Sequence, residues 1–447
     1  MQAYEARVGD FFKFRERNTN LATEARAGLT TFMVMSYIIF LNPGIIAKPL
    51  GLDPIAVAAA TALIAGIMTI AMGVFANYPF ALAAGLGINA IVAFTLPAKG
   101  LTPAGAMGVI VIEGIVITIL VVVGLREAIM NAVPLALKRS IGVGIGLFIL
   151  TIGFVNGGLI VTPPGGVPIV GISFPSQPAQ FVFIFGLLLT VILWVLKIRA
   201  ALVISIAVTT IVALFAGVTS IPSSLTLSPN FSTLFKFDLG NVFTLPILVA
   251  ILTIFAIMLS DFFDTMGTVT GIAAEAGLAE PDGSVPGIGR VLIVDSVAAV
   301  AGGVAGISSN TTFIESAAGV AEGGRTGFAS VVTGVLFLLA VLLAPIAGII
   351  PAAATAPALV LVGYLMFTLI KDIPVADVED GIPALLTIIL MPLTYDITVG
   401  IGAGFISWVL IKVVLRKWAQ VPLLMWVVAI AFLIFFLQDW ITAILPK

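Results

Sequence analysis

Five carboxylates sit inside long apolar stretches of this chain: Glu113, Asp261, Asp264, Asp295 and Glu315. No Lys or Arg sits at comparable depth to pair with them. A charged group near the centre of a bilayer costs from about 2.5 kcal/mol to far more. Such acids must therefore take up protons, accept strong hydrogen bonds or face water, and a desolvated carboxyl that exchanges a proton can carry one. In LSDFFDTMGTVTG, Asp261 and Asp264 are spaced i, i+3, and Thr268 follows Asp264 by four. That spacing places all three on one helical face. Phe262 and Phe263 between the acids offer an aromatic wall. The face lines a binding cavity or glues neighbouring helices together through hydrogen bonds.

Glu315 lies in NTTFIESAAG, where Thr312-x-x-Glu315 fits a capping box at a helix start. A helix that begins in mid-membrane turns free N–H groups toward a ligand, so capping and ligand contact are compatible readings. Asn89, in GLGINA, carries both donors and acceptors, which suits a planar heterocycle or backbone left unpaired by the adjacent glycines. Glu113 in VIEGIV and Asp295 in IVDSVA, flanked by small or apolar residues, read better as bonds between helices. Asp396 in LTYDIT and the acidic run DIPVADVED read as solvated.

The elements that must position these groups are membrane spans. The chain has 447 residues, 60% hydrophobic and 9% charged, with a mean hydropathy of +1.24. Apolar runs long enough to cross about 30 Å of hydrocarbon recur throughout, which describes a polytopic α-helical membrane protein. The formal net charge of −2 says nothing about partners. There is no Cys, so disulfides, thiolate catalysis and cluster ligation are excluded, and no His, which removes the usual proton shuttle. The N-terminal stretch MQAYEARVGDFFKFRERNTN is mixed in charge and reads as no signal peptide.

Fourteen spans are expected, at 26–48, 54–75, 79–96, 103–124, 138–156, 179–197, 200–217, 244–272, 288–307, 310–328, 329–349, 355–371, 381–395 and 397–415. The apolar segment 421–442 is either a fifteenth span or an interfacial helix. With residues 1–25 placed in the cytoplasm, 16 Lys and Arg fall on the inner side, Arg126 and Lys138 among them, and only Lys48, Lys99 and Lys236 on the outer. The positive-inside rule favours that orientation. Two exterior loops are long, 157–178 and 218–242, and the second divides seven spans from seven. An odd number per half inserts the second half upside down, the arithmetic of an inverted repeat. The third span of each half, 79–96 and 302–319, is rich in Gly, Ser, Asn and Thr and makes a poor continuous helix. Broken spans at matching positions point to a substrate site between them.

The motifs EARAGLTTFMVMSYIIFLNP, AAGLGINA, DFFDTMGT and NTTFIESAAGVAEGGRTG resemble those of the nucleobase–cation symporter-2 family, within it the AzgA-like purine permeases, from Asn18 to about Lys417. The resemblance implies two intertwined seven-span inverted repeats. A core domain would comprise 26–124 and 244–349, a gate domain 138–217 and 355–415, with short β-strands in the broken third and tenth spans. It implies a substrate site in which Asp264 and Glu315 match the family's two carboxylate positions and Asp261 and Asn89 match residues that the AzgA-like branch uses; Phe263 and Thr268, read from the same helix, complete the expected site. Uracil permeases of the family carry a His where this chain has Thr268. A purine branch is therefore favoured, and proton coupling falls to Asp261, Asp264 or Glu315. The expected activity is import of hypoxanthine, guanine or adenine with a proton as coupling ion, by a cell-membrane protein that needs no cofactor or metal and binds no nucleic acid. A homodimer is the family expectation. Uracil, xanthine or another small solute is the alternative cargo. DFFD and DVED also echo the Asp-rich motifs of an intramembrane prenyltransferase, but the first lies at expected membrane depth and no Lys or Arg cluster accompanies it to hold a diphosphate. A simple channel is the remaining rival.

Overall fold

The computed structural model describes residues 2–125, 132–161, 170–221, 228–280, 284–437 and 440, with the side chains of 2–6 left aside. Arg126, parts of the two long loops expected outside and the end of 421–442 lie outside the described residues. The chain is mostly helical. Among the described residues, ten helices are long and apolar enough to span a bilayer, beginning with Leu21–Leu50 and ending with Ile397–Val414. The other four expected spans hold shorter helices. The third and tenth are interrupted by strands, Ala201–Phe215 is 15 residues long, and Val378–Thr394 is 17 and starts with two acids.

A short first helix, α1 (Gln2–Phe12), leads to a first span made of α2 (Leu21–Met35) and α3 (Ile38–Leu50). The two helices are separated by the turn Ser36–Tyr37. Next come α4 (Pro54–Ala71), strand β1 (Leu82–Ala84), short helices α5 (Leu86–Ala90) and α6 (Leu96–Ala98), and α7 (Pro103–Val122). Proline at the first helical position and a side-chain cap start α4 and α7: Asp53 accepts from Ile55 N at 3.0 Å and Thr102 from Gly105 N at 3.0 Å. The chain continues through α8 (Leu135–Asn156), the two-residue strands β2 (Ile160–Val161) and β3 (Gly171–Ile172), α9 (Pro178–Val195) and α10 (Ala201–Phe215).

The second half runs α11 (Leu239–Val242), α12 (Ile247–Glu275), α13 (Ile288–Ala305), strand β4 (Asn310–Thr312), α14 (Ser316–Ala321), α15 (Gly327–Ala340), α16 (Ala352–Phe367), α17 (Val378–Thr394), α18 (Ile397–Val414) and α19 (Leu423–Phe436). The helices pack in two groups. In one, α4 and α2 lie on α15, and α7 on α13; in the other, α8 lies on α16 and α17, α17 on α18, and α9 and α10 on α16. The first group includes contacts backbone to backbone. Gly66 faces Gly334 and Gly73 faces Gly327, so a Cβ at any of the four would strike the opposite helix. Both pairs step by seven residues, 66 to 73 and 327 to 334, which is two turns of antiparallel helices.

The segment 421–442 is placed by α19. Phe432 and Phe436 lie against Gly402 near the start of α18, while α19 begins just past the Lys412–Lys417 end of that helix. The two therefore run antiparallel along their length, and α19 also touches α12.

Candidate functional site

The two interrupted spans meet in one antiparallel strand pair, with Leu82 opposite Thr312, Ala83 opposite Thr311 and Ala84 opposite Asn310. Backbone bonds extend the pair at both ends: Gly85 N donates to Ser309 O at 2.8 Å and Phe313 N to Ala81 O at 2.9 Å. Every residue of both strands is buried. With no water to satisfy lone backbone groups in hydrocarbon, pairing is what lets extended chain exist at this depth.

Asp295 of α13 secures β4. Its Oδ1 accepts from Thr312 N and Thr312 Oγ1, both at 3.0 Å, and its Oδ2 accepts from Thr265 Oγ1 at 2.8 Å. Thr265 then accepts from Thr311 Oγ1 at 2.8 Å, since its own proton is engaged. These bonds press α12 against the strand, and Asp264 is the next residue along that helix. Asp264 is half-buried, Asp261 and Thr268 are buried, and Phe263 packs in the main apolar core. Phe262 turns away to Ile117 and Met258 instead, so only Phe263 of the expected aromatic wall faces that core. A cation also comes closer than expected: Lys138 Nζ lies 6.0 Å from the centre of the Phe263 ring.

Glu315 is half-buried, and its Oε1 accepts from the hydroxyl of Tyr37 at 2.5 Å. The capping-box reading is corrected. Thr312 sits in β4 and gives its hydroxyl to Asp295, while Glu315 is itself the residue before α14 and makes no side-chain cap. The first N–H groups of α14 are not free either, because Ser316, Ala317 and Ala318 donate to the carbonyls of Phe313, Ile314 and Glu315. Glu315 reaches the site as a side chain, not as the head of a helix dipole.

Asn89 lies fully buried on α5. Its Nδ2 donates to Asn42 Oδ1 at 2.9 Å, and Asn42 Nδ2 donates in turn to Thr61 Oγ1 at 2.8 Å and Ile307 O at 3.2 Å. Asn89 Oδ1 has no partner among the described residues, nor have the hydroxyls of Ser308 and Ser309 or either polar atom of the Asn310 side chain. Buried polar atoms are normally bonded, and a group of exceptions at one place calls for an unseen partner. Ser308 also holds φ at 78° while fully buried, a backbone state that non-glycine residues rarely adopt.

Glu113 is fully buried on α7, which packs on α13. Asp396 is not solvated. Its Oδ1 caps α18 by accepting from Thr398 N, and its Oδ2 pairs with Lys99 at 2.8 Å. The acidic run 372–380 is likewise engaged, with Glu379 bonded to Lys412 and Lys417, and Asp380 to Trp408 Nε1 at 3.1 Å. Sequence reasoning missed Tyr37 and Asn42; both are polar groups within the apolar first span.

Two comparisons of sequence and one of fold bear on this arrangement. Residues 23–403 match the model of the family described as "Permease family" (Xan_ur_permease). The chain is 37% identical over 441 residues to the guanine/hypoxanthine permease PbuG of Bacillus subtilis, covering 96% of this chain and 99% of that one. It is 38% identical over 423 residues to the adenine permease AdeQ of Escherichia coli, covering 94% of each. In fold it is similar to the transmembrane domain of the cyanobacterial bicarbonate transporter BicA, with a TM-score of 0.63 at 15% identity over 85% of this chain and 97% of that one. Long apolar helices, two interrupted spans that meet at a buried strand pair, and these matches together make the chain a multi-pass membrane protein of the nucleobase–cation symporter-2 (Xan_ur_permease) family.

Proposed function

We propose that the protein imports purine nucleobases, hypoxanthine, guanine or adenine, by proton symport through alternating access. The observation that carries this reading is the kind of group gathered at the strand crossing. Glu315 and Asp264 are half-buried acceptors beside β4, and Asn89 Oδ1 is an unpartnered acceptor on the β1 arm. A neutral planar base is ringed with N–H donors, and bonds from them to carboxylates are of the stronger, charge-assisted kind. Asn89 reads a further edge, Phe263 and Thr268 of α12 complete the wall, and Asp261, Asp264 or Glu315 takes the coupled proton. Relatives named for guanine, hypoxanthine and adenine support the choice of purine. An anion such as bicarbonate would meet acids here, so likeness of fold to BicA does not extend to its cargo.

In this reading the two helix groups are a core, 26–124 with 244–349, and a gate, 138–217 with 355–415, related as seven-span inverted repeats. Their relative movement turns the site from one side to the other. The N-terminus is cytoplasmic and the membrane is that of the cell.

The test is uptake of radiolabelled hypoxanthine into proteoliposomes with and without an inward proton gradient, for wild type and Glu315→Gln. Accumulation that needs the gradient, yields to unlabelled guanine and adenine, and is lost in Glu315→Gln is the expected result. Uptake unaffected by purines, or gradient-independent equilibration, would overturn the reading.

A further inference from the structure

Asn42, Thr61 and Asn89 are all fully buried, and the bonds among them decide which way each side chain faces. Asn42 Nδ2 has two hydrogens and gives them to Thr61 Oγ1 at 2.8 Å and to the carbonyl of Ile307 at 3.2 Å. The Thr61 hydroxyl donates to Val57 O at 2.7 Å, so toward Asn42 it acts as an acceptor. The Ile307 carbonyl has no proton to give. Turning the Asn42 amide over would set two oxygens against each other there, so Asn42 is held with Oδ1 toward Asn89. That oxygen requires a donor, and Asn89 supplies Nδ2 at 2.9 Å. The Asn89 amide is thereby fixed as well. Its nitrogen branch is tied to Asn42, and its oxygen branch, Oδ1, is left without a partner among the described residues. Asn42 stands on α3 and Ile307 lies just ahead of β4, so an orientation set on the β4 arm is passed to a residue on the β1 arm.

We propose that Asn42 is a positioning residue for specificity: it holds Asn89 with the carbonyl oxygen presented, so that the base atom met there must carry a hydrogen. This rests on the purine reading above. Asn89 Nδ2 keeps a second hydrogen, but a base that met only that branch would leave Oδ1 buried without a bond, which is costly. The N–H that hypoxanthine, guanine and adenine all share is the one on the five-membered ring, carried on N7 or N9 according to tautomer. A fixed acceptor selects the tautomer with its hydrogen toward Oδ1, and so serves all three bases alike. An amide free to turn would offer either its oxygen to that N–H or its amino group to a bare ring nitrogen, and the selection would be lost. A site built to bond one polar group discriminates strongly against analogues that lack it.

The experiment measures how analogues inhibit uptake of radiolabelled hypoxanthine in proteoliposomes, for wild type and Asn42→Ala; equilibrium binding is read the same way if the variant loses uptake. 7-Deaza- and 9-deazahypoxanthine each keep one N–H on the five-membered ring, at opposite positions. 7-Methyl- and 9-methylhypoxanthine keep none there, only a bare nitrogen. In wild type the two deaza isomers are expected to differ by about tenfold or more, and both methyl isomers to inhibit at least about tenfold more weakly than hypoxanthine, the worth of one buried acceptor left unmade. In Asn42→Ala the deaza isomers should come within about threefold of each other, and one methyl isomer should gain about tenfold relative to hypoxanthine, because Asn89 can turn its amino group to the bare nitrogen. Weaker inhibition by every compound in proportion, with unchanged ratios, would reduce Asn42 to a packing residue and overturn the inference. A methyl isomer that rivals hypoxanthine in wild type would overturn it without any variant, so an Asn42→Ala protein that fails to fold does not shelter it. Wild type that takes up no hypoxanthine would instead bring down the purine reading itself.

Discussion

The β4 arm of the crossing is anchored by one carboxylate, the β1 arm by several hydroxyls. Asp295 takes three bonds from Thr312 and Thr265 and is fully buried while doing so. On the β1 arm, Thr69 Oγ1 accepts from Leu82 N at 2.9 Å and donates to Leu82 O at 3.2 Å, Ser316 Oγ accepts from Ala81 N at 2.9 Å, and Ser330 Oγ lies 2.9 Å from Phe80 O. Charge-assisted bonds are roughly twice as strong as neutral ones, so one arm concentrates its support in a single residue and the other spreads it. The difference also sorts the intramembrane acids. Asp295 is accounted for by the scaffold, whereas Asp264 and Glu315 keep part of their surface open. The arms differ again at their far ends. The β1 span finishes at Lys99, paired with Asp396 across the helix groups with both side chains only 15–16% exposed. The β4 span finishes at Glu322, paired with Arg26 and Arg199, which are about 60% exposed.

The sharpest way to break this contrast is Asp295→Ala. It strands three buried donors, each worth about 1–3 kcal/mol when left unmade, and is expected to abolish transport and sharply lower the melting midpoint of detergent-purified protein. A variant that melts and transports like wild type would show that β4 needs no carboxylate. Asn89→Ala is expected next: uptake falls about tenfold and stability falls by about 1–3 kcal/mol, because the buried Asn42 Oδ1 loses its donor. Thr69→Ala removes both bonds to Leu82 yet leaves Ser316 and Ser330, so a loss of about 1 kcal/mol with transport largely retained is expected. Equal damage from Thr69→Ala and Asp295→Ala would erase the distinction between the arms. The smallest effects lie at the far ends. Lys99→Met should cost up to about 1 kcal/mol, and Arg199→Ala nothing measurable, since exposed pairs are worth little. Thermal melts of the two variants side by side would reverse that order if exposure did not govern the pairs.

Much of this was open to reading in the residues. Gly85, Gly87 and the Ser308–Thr312 run mark where helix fails, because they are poor helix formers surrounded by good membrane ones. Asp264 and Glu315 stand out because any charge in hydrocarbon does. What stayed hidden depends on partners distant in sequence. Thr312 matched a local capping pattern, but Asp295, 17 residues away, outcompetes it. Asp396 read as solvated because Lys99 is 297 residues away. Tyr37 and Asn42 bear no charge to flag them. Span length failed where strands replace helix, and where Val378–Thr394 begins with Glu379 and Asp380.

The glycine pairs Gly66–Gly334 and Gly73–Gly327 have a mechanical consequence. Side chains between helices act as a compliant layer, because rotamers adjust when the helices are pushed. Where two backbones touch directly, that layer is missing, and the joint resists shear as well as compression. A force applied at one end of α4 is passed to α15 with little give, so α4, which bonds Leu82 of β1 through Thr69, and α15, which bonds the Phe80 carbonyl through Ser330, shift together as one stiff plate. Strand register, and the spacing of every acid and amide fixed to it, then survives whatever excursion the plate makes.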